Sequence, residues 1–149
     1  AFERMASFDP AAWAAMKVVA PRETALRFQG FDRDAGAVRM SAANAVRAGV
    51  DGVVSFAQGD VADLVPPEGP PGLVIVNPPY GTRIGNPKLL FALHGRMGAV
   101  LKERFRGWRV GVVTSDEGLA RATGLRFGPP GPYVPHGGLK VRLWRTGTL

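Results

Sequence analysis

The stretch GLVIVNPPYGTRIG, from Gly72 to Gly85, decides how this chain is read. Leu73 to Val76 are apolar without a break, and the run stops on Asn77-Pro78-Pro79-Tyr80. A short apolar run bounded by turn residues fits a strand covered on both faces, at the centre of a parallel sheet. Proline cannot donate to a ladder, so a single one would end such a strand. The second proline needs another reason, and a purely structural turn stays open as the alternative.

The segments on either side alternate in character. Leu26 to Phe31 predicts a strand that runs into Asp32 and Asp34, and Ala35, Val38, Ala42, Ala45 and Val46 recur at helical spacing ahead of Gly49. GVVSFAQGD predicts a second strand ending on Asp60, and PPEGPPG can only be a loop. Past the central stretch, Asn86 caps and Pro87 opens a long helix with Leu90, Leu93, Met97, Val100 and Leu101 on its inner face. WRVGVVTSD predicts a fourth strand and DEGLARATG a short helix, and the chain closes with two strands joined by a turn at Gly137–Gly138. The opening segment carries a helical patch from Pro10 to about Val18, with no strand before it. The pattern is α/β: an open, mostly parallel sheet with helices on both faces and a C-terminal antiparallel pair.

The 149 residues fit one domain, and an apolar share of 46% is enough for a core. With no cysteine, disulfides and thiolate metal sites are excluded. The apolar runs are too short to span a bilayer, and AFERMASFDP lacks the blocks of a signal peptide, so the cytoplasm is the expected compartment. A net charge of +7, carried mostly by arginine, favours a nucleic-acid partner, although a base composition rich in Arg, Ala, Gly and Pro codons gives the same excess.

In open α/β sheets, ligands bind beyond the carboxyl ends of the strands. Three such ends carry polar groups here: Asp32, Asp60 and Asn77–Tyr80. Taken alone, Asp32 and Asp34 read as helix caps and Asp60 as a turn residue. Asn77 to Tyr80 asks for more. Two prolines stiffen the backbone, so the Asn77 side-chain oxygen and the Pro78 carbonyl become fixed acceptors. An exocyclic amine offers two N–H donors to such a pair, which would also stabilise positive charge developing on its nitrogen. Tyr80 offers a ring face for stacking, and Gly81 lets the backbone come close to a base. Arg83 is a candidate phosphate contact. His94 reads as a surface or boundary residue, and Trp13, Trp108 and Trp144 as packing residues. His136 has no partners for a metal, and no metal is expected.

NPPYG resembles the catalytic motif of the class I S-adenosylmethionine-dependent amino-methyltransferases. FERMASFD, GFDRDAGAVRMSAANAVRAGV, FAQGDVADL, LKERFRGWRVGVVTSD and HGGLKVRLWR extend the likeness from Phe2 to about Arg145. Together they resemble the THUMP-associated guanine-N2 methyltransferases of 23S ribosomal RNA. The resemblance implies a Rossmann-like fold, S-adenosylmethionine as cofactor and ribosomal RNA as partner. It assigns Asp32 to the cofactor ribose, with Asp34 as a second candidate, and Asp60, after Gly59, to the cofactor adenine. Asn77, Pro78, Pro79 and Tyr80 match the target-base site, with Asn77 also bordering the cofactor.

The family's glycine-rich cofactor turn and its first strand are not found in this sequence, so residues 1–149 are expected to be the C-terminal part of a catalytic domain. On that expectation the chain alone is inactive, and its unpaired sheet edges invite self-association. Two other readings keep the motif: a piece of a DNA adenine-N6 methyltransferase, and a non-catalytic basic RNA-binding module of the same fold.

Overall fold

The computed structural model describes residues 2–17, 24–80, 86–136 and 138–149. Among the described residues, four α-helices and six strands follow in chain order: α1 (Pro10–Lys17), β1 (Phe28–Asp32), α2 (Ala35–Ala48), β2 (Val54–Gln58), β3 (Leu73–Val76), α3 (Pro87–Arg104), β4 (Arg109–Thr114), α4 (Glu117–Ala122), β5 (Val134–His136) and β6 (Leu139–Thr148). Short 3₁₀ turns cover Phe2–Arg4 and Val61–Asp63. The strands form a two-stranded sheet, β1-β2, and a four-stranded sheet of order β3-β4-β6-β5. Within the larger sheet β3 and β4 are parallel, while β6 runs antiparallel to both β4 and β5.

The chain divides into two compact units, Ala1–Gly30 with Gly36–Ala57, and Phe31–Ala35 with Gln58–Leu149. In the first, Phe28 N–H donates to the Val53 carbonyl at 2.9 Å, and the Phe56 ring lies where a Cβ on Gly30 would stand. A side chain at position 30 would displace that ring. Helix α2 ends where its sequence says it should, because Gly49 adopts φ +67° and terminates it.

The second unit holds the main core. Met97, Val100, Leu101 and Phe105 of α3 and its exit pack on Val110 and Val112 of β4, Ala120 of α4, Leu125 and Trp144. Asn86 accepts from Lys88 N–H at 3.0 Å and Pro87 occupies the first turn, so α3 begins at the expected cap. Helices α3 and α4 approach closely through small residues. A Cβ on Gly98 would lie 1.8 Å from the Thr123 carbonyl oxygen.

Two expectations are corrected here. Leu73–Val76 is a strand, but not one covered on both faces: Leu73 and Ile75 are 54% and 57% exposed. Among the described residues β3 has β4 as its one strand partner, which makes it an edge of its sheet. An apolar run thus marked a strand correctly and its cover wrongly. His94, read as a surface or boundary residue, is fully buried. It sits four residues after Leu90 and three before Met97, on the face that α3 turns to the core.

The burial of His94 has a measurable consequence. Its Nδ1–H donates to the Leu90 carbonyl at 2.8 Å, and Nε2 is buried with no hydrogen-bond partner among the described residues. Burial lowers its pKa, opposed by the Leu90 bond and by the charge of Asp116. The unfolded chain therefore takes up a proton that the folded one resists. Stability is full above the ordinary histidine range and falls as pH drops below it. The slope contributed by this group reaches at most about 1.4 kcal/mol per pH unit. Chemical denaturation at a series of pH values between neutral and mildly acidic should show this loss, and His94→Gln should flatten it. Equal slopes for the two proteins would remove His94 from the account.

Candidate active site

A cavity of about 840 Å³ lies in the second unit, and every residue that lines it belongs to that unit. Phe31 and Asp32 reach it from the end of β1, Gly59 and Asp60 from the turn after β2, and Asn77 to Tyr80 from the turn after β3. Leu89, Leu93 and Met97 of α3 supply an apolar wall. The volume is in the range of small-molecule sites. The three polar strand ends singled out in the sequence are thus brought to one place.

Local backbone chemistry shapes each end. The Asp32 carboxylate accepts from Asp34 N–H at 2.8 Å, and the Asp32 carbonyl accepts from Gly59 N–H at 3.0 Å. The Gln58 amide donates to the Arg33 carbonyl at 3.1 Å, a second stitch between the same loops. Strand β2 ends at Gln58, two residues earlier than the expected end on Asp60. Asp60 instead caps the 3₁₀ turn, its Oδ1 accepting from Ala62 N–H at 2.9 Å. Asp60 is therefore a cap as well as a cavity residue, and Asp32 closes a turn as well as lining the cavity. Asp34 is not among the residues that line the cavity. At Gly59 a Cβ would meet Phe31 Cδ1 at 3.6 Å, an ordinary contact, so glycine there serves openness more than packing.

The proline pair divides its neighbours. Asn77 and Pro79 are exposed, whereas Pro78 and Tyr80 are buried. Among the described residues the Asn77 side chain makes no hydrogen bond, which leaves its amide available to a ligand. Tyr80 is only 7% exposed, because its ring seats among Leu90, Leu119 and Val141. Stacking a base on that ring requires it to swing out of this cluster. Gly81 and Arg83 lie outside the described residues.

Two contributions were not read from the sequence. Phe31 is a half-exposed aromatic ring beside Asp32, and its place at a strand end was the available signal. Arg104 Nη1 donates to the carbonyls of Ala62 and Leu64, both at 3.1 Å, which ties the turn after Asp60 to the last turn of α3. A basic residue at a helix C-terminus is expected from the helix dipole. Its reach across 40 residues of sequence is not.

The residues present suit an adenosyl cofactor in part. Asp32 and Asp60 are acceptors for hydroxyl and amine donors, and the Leu89–Met97 wall and Phe31 suit an apolar ring face. Among the described residues, no group of His, Cys, Asp and Glu is arranged to hold a metal, and no helix is long and apolar enough to cross a membrane.

Comparison with known proteins places the chain among methyltransferases. The chain is 46% identical over 99 residues to the ribosomal RNA large subunit methyltransferase K/L of Allochromatium vinosum, covering 66% of this chain and 14% of that protein. It is 35% identical over 133 residues to the protein of the same name from Vibrio campbellii, covering 84% of this chain and 19% of the relative. The chain therefore spans less than a fifth of the length of these relatives. Among solved structures, SMU.472, described as a methyltransferase complexed with SAH, superposes with a TM-score of 0.78 at 26% identity, over 100% of this chain and 40% of that one. The fold is that of the Rossmann-like class I methyltransferases. Residues 3–128 match one family over most of the chain, and the chain belongs to it: UPF0020, the RMKL-like methyltransferase domain.

Proposed function

We propose that the protein carrying this chain transfers a methyl group from S-adenosylmethionine to the exocyclic amine of a base, guanine N2 of large-subunit ribosomal RNA. The observation that carries this reading is the convergence of Asn77–Tyr80 with Asp32 and Asp60 on one cavity, in a chain of this family. The two relatives named above as large-subunit ribosomal RNA methyltransferases support the substrate class. So does the net charge of +7, which suits a phosphate backbone. A ribosomal substrate places the reaction in the cytoplasm.

When bound, the cofactor supplies an electrophilic methyl group. This chain's residues do the positioning. Asp32 would hold the ribose hydroxyls and Asp60 the adenine amine, each with carboxylate capacity not spent on its own loop. The Asn77 amide oxygen and the Pro78 carbonyl accept the two N–H donors of the target amine. They would aim its lone pair and stabilise the positive charge that grows on nitrogen as the methyl–sulfur bond breaks, and the nitrogen would then lose its extra proton to solvent. The apolar wall of α3 keeps water from the transfer.

The test is to incubate the complete protein with labelled cofactor and undermodified ribosomal RNA, and to digest the product to nucleosides. Label on N2-methylguanosine is the expected result. Label on DNA adenine, with none on RNA, would replace the RNA substrate by DNA. Cofactor-independent RNA binding with no label anywhere would leave a binding module only.

A further inference from the structure

Of the two tyrosines, Tyr80 is buried and Tyr133 is 61% exposed. Tyr133 follows Gly128-Pro-Pro-Gly-Pro132, a segment the catalytic reading does not use. This segment is not loose. Gly128 N–H donates to the Arg145 carbonyl and Gly131 N–H to the Leu143 carbonyl, each at 2.9 Å, with Pro129 and Pro130 fixing the backbone between them and Pro132 that before Tyr133. Strand β5 begins directly after it, with Val134 opposite Val141, so the same register places Tyr133 opposite Arg142.

Arg142 completes the arrangement. Its Nε donates to the Gly131 carbonyl at 2.9 Å, and its guanidinium lies 4.5 Å from the Tyr133 ring centroid and 5.8 Å from that of Trp144. A half-buried cation thus covers one face of the tyrosine, and the other face is left to solvent. The C-terminal sequence that carries it is basic. From Gly118 to Leu149 the chain has Arg121, which pairs with Glu117, and Arg126, Lys140, Arg142 and Arg145, with neither aspartate nor glutamate. An open ring held rigidly in a cationic, acid-free segment calls for a partner that is both planar and polyanionic.

We infer that Tyr133, backed by Arg142, is a stacking platform for an unpaired base of single-stranded RNA. The inference rests on the RNA reading given above and adds a contact outside the catalytic cavity. The ring is ordered before the RNA arrives, so stacking does not have to order it. Stacking tolerates any base, so the platform contributes affinity without reading sequence.

The experiment measures binding of a short single-stranded RNA oligonucleotide carrying a fluorescent adenine analogue to the complete protein. Tyr133→Ala should weaken binding about 5- to 100-fold, the equivalent of one lost stacking contact. It should abolish the quenching of the analogue, and leave the salt dependence unchanged because no phosphate contact is removed. Tyr133→Trp should restore both affinity and quenching. Tyr133→Leu keeps apolar bulk without a π face and guards against a folding defect; it should bind as weakly as the alanine variant. Wild-type affinity in the alanine and leucine variants would overturn the platform, as would an equal loss on duplex RNA. Failure of the unsubstituted protein to bind RNA at all would strike the underlying RNA reading instead.

Discussion

Replacing Asn77 with alanine is expected to lower the rate constant for methyl transfer by about 100- to 1,000-fold, the usual cost of removing one preorganised charge-stabilising contact, ~2.7–4 kcal/mol. The size of the effect follows from where the contact acts. The target amine is neutral before attack and cationic afterwards, so an acceptor fixed beside it gains strength as the barrier is climbed. The same side chain makes no hydrogen bond among the described residues and is exposed, so its loss should barely move the melting temperature. Single-turnover transfer to ribosomal RNA by the complete protein measures the rate, and calorimetry measures cofactor affinity, which should stay close to the original. A rate near that of the unsubstituted protein would remove Asn77 from the catalytic assignment. A rate loss matched by an equal loss of cofactor affinity would make it a binding residue.

The largest expected effect on stability comes from Gly98. Helix α3 passes the end of α4 so closely that an alanine Cβ at this position would stand 1.8 Å from the Thr123 carbonyl oxygen, 2.5 Å from its carbonyl carbon and 2.7 Å from its Cα. These are backbone atoms, and Thr123 is held. Its hydroxyl donates to the Ala120 carbonyl at 2.7 Å and accepts from Leu125 N–H at 3.1 Å. Gly98→Ala must push the two helices apart, at a cost on the order of 3 kcal/mol. In a protein of this size that lowers the melting temperature by about 6–12 °C. Gly95→Ala is the matched control. Its Cβ would meet the Ala122 carbonyl oxygen at an ordinary 3.6 Å, and alanine is the better helix former by about 1 kcal/mol. Thermal unfolding of the two variants should move in opposite directions, and similar shifts would show that the α3–α4 contact yields.

What the sequence disclosed and what it withheld divide along a physical line. The ends of α2 and α3 were legible because a glycine at φ +67° and an Asn-Pro start are decided within a few residues. The three polar strand ends were legible for the same reason, since each is a turn that follows an apolar run. The unread features all depend on partners far along the chain. The exposure of Leu73 and Ile75 depends on what lies over β3, and an apolar run cannot report that. The burial of Tyr80 depends on Leu119 and Val141, and the role of Arg104 on Ala62 and Leu64. His94 is the exception. Its spacing from Leu90 and Met97 marked the inner face of α3, and its polarity outweighed that signal.

The double duty of Asp32 and Asp60 bears on how such domains would drift once selection on catalysis relaxed. The Asp60 carboxylate caps the 3₁₀ turn through Ala62 N–H, and the Asp32 carboxylate closes its own turn by accepting from Asp34 N–H. Losing a cap such as Asp60 typically costs ~1 kcal/mol of stability, and losing the Asp32 turn bond acts in the same direction. A copy that no longer bound any cofactor would still be under pressure to keep both aspartates, or to exchange them only for asparagine or serine. Asn77 makes no such bond among the described residues, so on the proposed function only catalysis would hold it in place. In a survey of relatives, the two aspartates would therefore be poor witnesses to activity, and the first residue of the proline turn a good one.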